Sequence, residues 1–135
     1  MENRVILVAD DDKAIREIVA STLSLELSAR VVLASDGERL LALARQLRPV
    51  LVVTDVRMPG LSGLDVAREL AADPRTSGIP VLAVTAVASR DECLAAGCCE
   101  YLAKPFELAK LVEVARACLD WRGDRGAPAG SPAAT

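Results

Sequence analysis

Five polar side chains stand directly after short apolar segments of the chain. Two aspartates follow the first of these segments, and one aspartate, one threonine and one lysine follow later ones: Asp10, Asp11, Asp55, Thr85 and Lys104. Apolar runs this short, bounded by turn residues, are typical of strands buried on both faces of a parallel sheet. Because the carboxyl ends of parallel strands meet at one edge of a sheet, we expect these five side chains to lie close together.

The three aspartates create a repulsion that a metal ion would relieve. Carboxylates this close cannot all ionise cheaply, and a hard divalent cation such as Mg²⁺ binds carboxylate oxygens while keeping several waters. Lys104 adds one positive charge on a flexible stem that suits a phosphate group. Three negative charges against one lysine leave about two, the charge of one such ion. The pattern therefore predicts a site for Mg²⁺ (or Mn²⁺) beside a phosphoryl group; the alternative is a set of helix caps beside a surface lysine.

Composition excludes several classes of protein. The chain has 135 residues, enough for one domain, and no histidine, which removes Ser-His-Asp and Cys-His catalysis and any histidine metal ligand. Its net charge of -3 argues against direct nucleic-acid binding. No apolar run approaches the roughly 20 residues of a membrane-spanning helix, and the first residues lack a signal-peptide pattern. We therefore expect a cytoplasmic protein that does not contact membranes.

The four cysteines carry no recognised spacing. Cys98 and Cys99 are adjacent rather than separated by two residues, as a CxxC redox or zinc motif requires. A thiol that is not in a disulfide behaves as a small apolar group. We interpret all four cysteines, the other two being Cys93 and Cys118, as small core or surface residues.

Five apolar segments alternate with five segments of helical periodicity. Strands are predicted at 4–9, 30–34, 50–54, 79–84 and 100–103, and helices at 12–26, 35–47, 62–72, 89–97 and 106–121. This alternation, with right-handed crossovers, predicts an α/β flavodoxin-like doubly wound (βα)5 fold whose five-stranded parallel sheet has the order 2-1-3-4-5. One domain is expected over residues 1–121. The Gly, Pro and Ala residues of 122–135 predict a disordered tail.

The same residues carry a family resemblance. From about residue 4 to about residue 120 the sequence resembles the receiver domain of bacterial two-component response regulators, in particular the single-domain type of the chemotaxis regulators. Each motif alone is weak, but their order and spacing together are specific. The motifs are Asp10-Asp11, Asp55 with Met58-Pro59-Gly60-Leu61-Ser62-Gly63, Thr85-Ala86, Tyr101, and Lys104-Pro105-Phe106.

The resemblance implies a phosphorelay reaction at Asp55. This side chain, which we expect to be exposed at its strand end, would accept a phosphoryl group from the phosphohistidine of a sensor histidine kinase or a phosphotransfer protein. Lys104 would pair with the phosphoryl oxygens, and its peptide bond to Pro105 is expected to be cis. The implied metal ligands are Asp11, Asp55 and the backbone carbonyl of Arg57, with Asp10 acting through water.

The resemblance also implies a switch. Thr85 would move to hydrogen-bond the phosphoryl group, and Tyr101 would turn inward in response. The face made by the fourth helix, the fifth strand and the fifth helix would then change for a downstream target protein; homodimerisation through this face stays open. Such a protein is not an enzyme in the ordinary sense, although it catalyses its own phosphotransfer and dephosphorylation weakly.

Three alternatives are weaker or remain open. A phosphatase with an aspartate nucleophile would need an acid two residues later, where Arg57 stands. A flavodoxin-like cofactor carrier would need a phosphate-binding loop in place of the acidic residues after the first strand. Finally, the chain is either a free-standing receiver, which we favour because it contains no output domain, or the receiver fragment of a longer regulator with an output domain after Thr135.

Overall fold

Five parallel strands form the central sheet of the computed structural model, which describes residues 4–121. The strands are β1 (Val5–Ala9), β2 (Arg30–Ala34), β3 (Leu51–Thr54), β4 (Val81–Thr85) and β5 (Glu100–Ala103). The helices are α1 (Lys13–Leu27), α2 (Gly37–Leu47), α3 (Gly63–Ala72), α4 (Arg90–Ala95) and α5 (Leu108–Trp121). The order β2-β1-β3-β4-β5 confirms the predicted flavodoxin-like topology. The tail predicted for 122–135 lies outside the described residues.

The sheet separates two apolar cores because successive strand side chains point to opposite faces. In β1, Ile6 and Val8 belong to one core, which α1 and α5 cover, and Leu7 belongs to the other, which α2, α3 and α4 cover. Ile6 and Leu7 are both fully buried. Burial on both sides explains why the strands read as continuous apolar runs and not as alternating ones. No helix within 4–121 combines the length and the hydropathy needed to cross a membrane.

Side-chain caps begin α1, α3 and α4 as their sequences predict, and Asp36 caps α2. The Asp12 carboxylate accepts hydrogen bonds from the first N–H groups of α1, so this acid of the three is the cap. Ser62 with Asp65, and Ser89 with Glu92, form reciprocal capping boxes at α3 and α4. Each box satisfies two backbone N–H groups that the helix itself cannot pair.

The apolar stripe of α1 is wider than the surface that covers it. Val19 and Leu23 are buried as the periodicity predicts, but Ile18 on the same stripe remains 49% exposed. The neighbouring helix α5 covers only part of α1, and Leu25 and Leu108 line an apolar groove between the two helices. Helical periodicity marks which residues can be buried, whereas the packing of the neighbours decides how many are.

Gly63 is the point where α3 packs against the end of β3. A Cβ atom at this position would overlap the carbonyl oxygen of Asp55, whereas one at Gly78 would meet nothing within 4 Å. We expect Gly63→Ala to lower the free energy of unfolding by about 2 kcal/mol, because the overlapping atoms belong to backbone that cannot turn away. The same change at Gly78 serves as the control and should stay within about 0.5 kcal/mol. Urea unfolding midpoints compare the two; equal midpoints would show that the backbone yields at Gly63.

Candidate functional site

The carboxyl ends of three strands bring two carboxylates and an ammonium group into contact. Lys104 Nζ, just after β5, donates to Asp10 Oδ2 at 2.8 Å and to Asp55 Oδ2 at 3.0 Å. Extensions of the sheet hold the backbone here, since the Asp55 N–H donates to the Ala9 carbonyl and the Lys104 N–H to the Thr85 carbonyl, each at 2.9 Å. The predicted juxtaposition of these side chains is therefore observed.

A third carboxylate completes an acidic cluster. One oxygen from each of Asp10, Asp11 and Asp55 lies within 4.8 Å of the others. Asp11 is exposed, while the other two are buried, so the cluster is open to solvent on one side. Mg²⁺ and Mn²⁺ prefer carboxylate oxygens as ligands and usually keep several waters. A bound cation would also relieve the repulsion among the three carboxylates. The residues present therefore fit a divalent cation.

Asp55 is more enclosed than its sequence position suggested. Only 7% of the residue is exposed, so the expectation of an exposed Asp55 is wrong. Lys104 covers Oδ2, and the backbone N–H of Arg57 donates to Oδ1 at 3.3 Å. A cleft of about 290 Å³ still reaches the carboxylate, and its walls include Ala86 and Val87. Access is therefore through a cleft and not from an open surface.

Burial and charge act in opposite directions on the ionisable groups of the site. Burial raises the pKa of Asp10, and the hydrogen bonds from Lys104 and from the Asp12 N–H offset it only in part. Burial would lower the pKa of Lys104, but its hydrogen bonds to the two carboxylates outweigh that effect and raise the pKa. Lys104 is therefore charged at neutral pH.

Two side chains that the sequence patterns did not single out hold the backbone of the site. Arg16 Nη1 donates to the Asp10 carbonyl oxygen at 2.7 Å, and Thr54 Oγ1 donates to the Asp55 carbonyl oxygen at 2.9 Å. Arg16 lies on the polar side of α1, and Thr54 reads as one more residue of a buried strand. Neither residue has a feature in the sequence that would predict a hydrogen bond to the backbone of the site.

The predicted switch residues, Thr85 and Tyr101, do not line the acidic cleft. The buried Thr85 hydroxyl accepts a hydrogen bond from the Val87 N–H at 3.1 Å, within the loop that leads to α4. Tyr101 is half-buried and packs against the core beneath α2, α3 and α4. The Lys104–Pro105 peptide bond is cis.

Comparison with known proteins defines the class. A family model described as the response regulator receiver domain matches residues 6–116. This chain therefore belongs to the response regulator receiver family, as its motifs indicated, and it is a receiver domain of the kind found in two-component systems.

Individual relatives support the same class. The chain is 44% identical over 119 residues to the response regulator MprA of Mycolicibacterium vanbaalenii, covering 84% of this chain and 49% of MprA. It is 39% identical over 117 residues to the probable transcriptional regulatory protein TcrX of Mycobacterium tuberculosis, with coverage of 84% and 49%. The chain thus spans about half the length of the curated relatives it matches.

Solved structures agree with the fold. The receiver domain of the sensor histidine kinase PA1611 from Pseudomonas aeruginosa, which holds a magnesium ion in its active-site cleft, aligns with a TM-score of 0.79 at 30% identity, covering 87% of this chain and 98% of that one. The chemotaxis response regulator CheY4 of Vibrio cholerae aligns with a TM-score of 0.78 at 28% identity, covering 86% and 98%.

Proposed function

We propose that this receiver domain is a phosphorylation-driven switch whose phosphoacceptor is Asp55. The observation that carries the proposal is the contact of one ammonium group, Lys104 Nζ, with both Asp10 and Asp55 beside a third carboxylate. Lys104 Nζ already contacts Asp55, so it lies where the oxygens of a group attached to that carboxylate would arrive, and its stem is flexible enough to follow them.

The reaction is a displacement at phosphorus. A carboxylate oxygen of Asp55 attacks the phosphoryl group of a sensor histidine kinase or a phosphotransfer protein, and the P–N bond breaks with its electron pair passing to the imidazole nitrogen. Lys104 moves from the carboxylates to the phosphoryl oxygens. Asp11, Asp55 and the Arg57 carbonyl would hold Mg²⁺ (or Mn²⁺), with Asp10 acting through water. The bound ion supplies positive charge to the transferring group.

The response begins at Thr85. Its hydroxyl now accepts the Val87 N–H, and turning toward a phosphoryl oxygen would break that bond and free the loop before α4. Tyr101, which is half-buried on β5, would then turn inward. The face formed by α4, β5 and α5 then changes for a downstream target protein or for a second copy of the chain. Phosphorylation thereby biases an equilibrium between two states.

Arg57 and Val87 line the cleft beside the acceptor and control how water reaches the acyl phosphate. They therefore govern a weak self-dephosphorylation.

The output of the switch depends on whether an output domain is attached to the receiver domain. Because the relatives are about twice as long as this match, an output domain after Thr135 stays the alternative to a free-standing receiver.

The test is intact-mass spectrometry after incubation with acetyl phosphate. With Mg²⁺ we expect the full chain to gain one phosphoryl group, and with EDTA in its place none, because the three clustered carboxylates repel an incoming phosphate until a cation is bound. Beryllium fluoride, a phosphoryl mimic, serves where hydrolysis outpaces detection. The proposal would be contradicted if no adduct formed and if beryllium fluoride also had no Mg²⁺-dependent effect on the melting temperature.

Mg²⁺ should also stabilise the folded chain. A cation that binds only the folded state stabilises it by about 1.4 kcal/mol at ten times its dissociation constant. Thermal melts with MgCl₂ are compared with melts in NaCl of equal ionic strength, which removes general screening. Asp11→Asn should weaken the effect, whereas Asp36→Asn should preserve it, since Asp36 only caps α2. Equal responses in the two variants would place the cation elsewhere.

A further inference from the structure

Two cysteine thiols meet at the end of the sheet opposite the acidic cleft. Cys99 immediately precedes β5, and Cys118 lies in the last turn of α5. Their Sγ atoms are 2.7 Å apart. Two sulfur atoms at this separation need to move only slightly to reach the bonded distance of about 2.05 Å.

Rigid elements hold both thiols in place. The Cys99 N–H donates to the Val81 carbonyl at 2.8 Å, which fixes Cys99 to the first residue of β4. Cys118 is only 1% exposed and belongs to the core beneath α1 and α5, together with Val114 and Ala115. The sheet therefore holds the backbone of Cys99 in place, and the packing of α5 in the core holds Cys118.

The geometry also selects one pair among the four cysteines. Cys98 and Cys99 are neighbours entering a strand, so their side chains point to opposite faces of the sheet. Cys98 belongs to the same core as Cys93, on the face covered by α2, α3 and α4, whereas Cys99 packs against the core that contains Cys118. Of the pair, Cys99 is partly exposed and Cys118 is buried. An oxidant from solvent therefore reaches Cys99 first.

We propose that Cys99 and Cys118 are a redox modification site, at which a peroxide converts the two thiols into an intramolecular disulfide. The Cys99 sulfur attacks one peroxide oxygen, the O–O bond breaks, and a sulfenic acid and one water form. The Cys118 sulfur then attacks the Cys99 sulfur and displaces a second water. Together the two thiols lose two electrons and two protons, and one hydrogen peroxide is reduced to two waters.

The bond would close a loop around the lysine of the acidic site. Cys99 and Cys118 are 19 positions apart, and Lys104 lies between them. A disulfide restricts the unfolded chain and fixes the end of α5 to the start of β5, both parts of the proposed output face. The inference does not require Asp55 to be phosphorylated, so it stands or falls separately from the proposed function.

The test is peptide mapping of the full folded chain, treated with hydrogen peroxide and then alkylated without reduction. Trypsin yields one peptide over 91–110, because the Lys104–Pro105 bond resists cleavage, and another over 117–122. We expect these peptides to be joined, fragment ions to place the bond at Cys99, and dithiothreitol to reverse it. The oxidised chain should melt about 5–10 °C higher than the reduced chain.

Two double variants serve as matched controls. Cys93→Ala with Cys98→Ala should still form the disulfide, whereas Cys99→Ala with Cys118→Ala should form none. If a variant fails to fold, the peptide map of the wild-type chain alone decides whether Cys99 and Cys118 form a disulfide. Over-oxidised Cys99 without a bond, cross-links only between molecules, or equal bonding from Cys98 and Cys99 to Cys118 would each overturn the assignment.

Discussion

We expect Asp55→Asn to abolish phosphoryl uptake from acetyl phosphate while the fold persists. The amide cannot form the acyl phosphate, and Lys104 keeps its contact with Asp10 at 2.8 Å, so the buried ammonium retains a carboxylate partner. Removing one of three neighbouring carboxylates also reduces their mutual repulsion, and the melting temperature should be unchanged or slightly higher. Intact mass gives the first result, and circular dichroism during heating gives the second.

Asp12→Asn is the matched control for this experiment. Asp12 lines the same cleft, but the acidic cluster consists of Asp10, Asp11 and Asp55, and Asp12 instead caps α1. Asparagine caps helices as well as aspartate does, so the variant should fold and take up the phosphoryl group. A phosphoryl group on Asp55→Asn protein would identify another acceptor, and a collapsed variant would make Asp55 a structural residue.

Lys104→Met should produce the largest loss of stability among the site variants in the absence of metal. The ammonium group is 15% exposed, and it separates Asp10 and Asp55 side chains that are 5% and 9% exposed. Removing one partner from a buried ionic cluster leaves uncompensated charge, and we expect the free energy of unfolding to fall by about 3 kcal/mol. Mg²⁺ should restore much of this loss, because a cation again stands among the carboxylates.

The pH dependence of Lys104→Met follows from Asp10. Burial already raises its pKa, and the variant lacks the ammonium that offsets this, so the folded state binds a proton more tightly than the unfolded state does. Stability should therefore increase as the pH falls through the folded pKa of Asp10 toward its unfolded value. The loss caused by the variant should therefore become smaller as the pH is lowered from 7 toward the ordinary pKa of an aspartate.

Lys110→Met provides the comparison. Its ammonium lies 3.7 Å from Glu113, with side-chain exposures of 55% and 71%, and pairs this exposed contribute less than about 0.5 kcal/mol. Chemical denaturation of both variants, with and without MgCl₂, separates the site from the general loss of a positive charge. If both variants lost similar stability and Mg²⁺ reduced neither loss, Lys104 would not contribute to the charge balance of the acidic site.

The sequence predicted the strand ends well because local rules determine them. Asp10 and Asp55 end buried apolar runs, and strict alternation of strands and helices leaves few topologies, so their meeting could be expected before any distance was known. Distances themselves depend on how loops close over the sheet. For this reason the enclosure of Asp55 was not foreseen, and neither was the contact between Cys99 and Cys118, which comes from the packing of α5.

The contact of Lys104 with Asp10 has a consequence for how the chain folds. The two residues are 94 positions apart, and Lys104 follows β5, which is the last strand in residues 4–121. A partial sheet of β1 and β3 already brings carboxylates together, yet it lacks the cation that makes their proximity tolerable. Docking of β5 therefore completes the sheet and relieves the repulsion in a single event. Partial sheets that lack β5 are destabilised by the repulsion among the carboxylates. The domain should therefore fold as one cooperative unit.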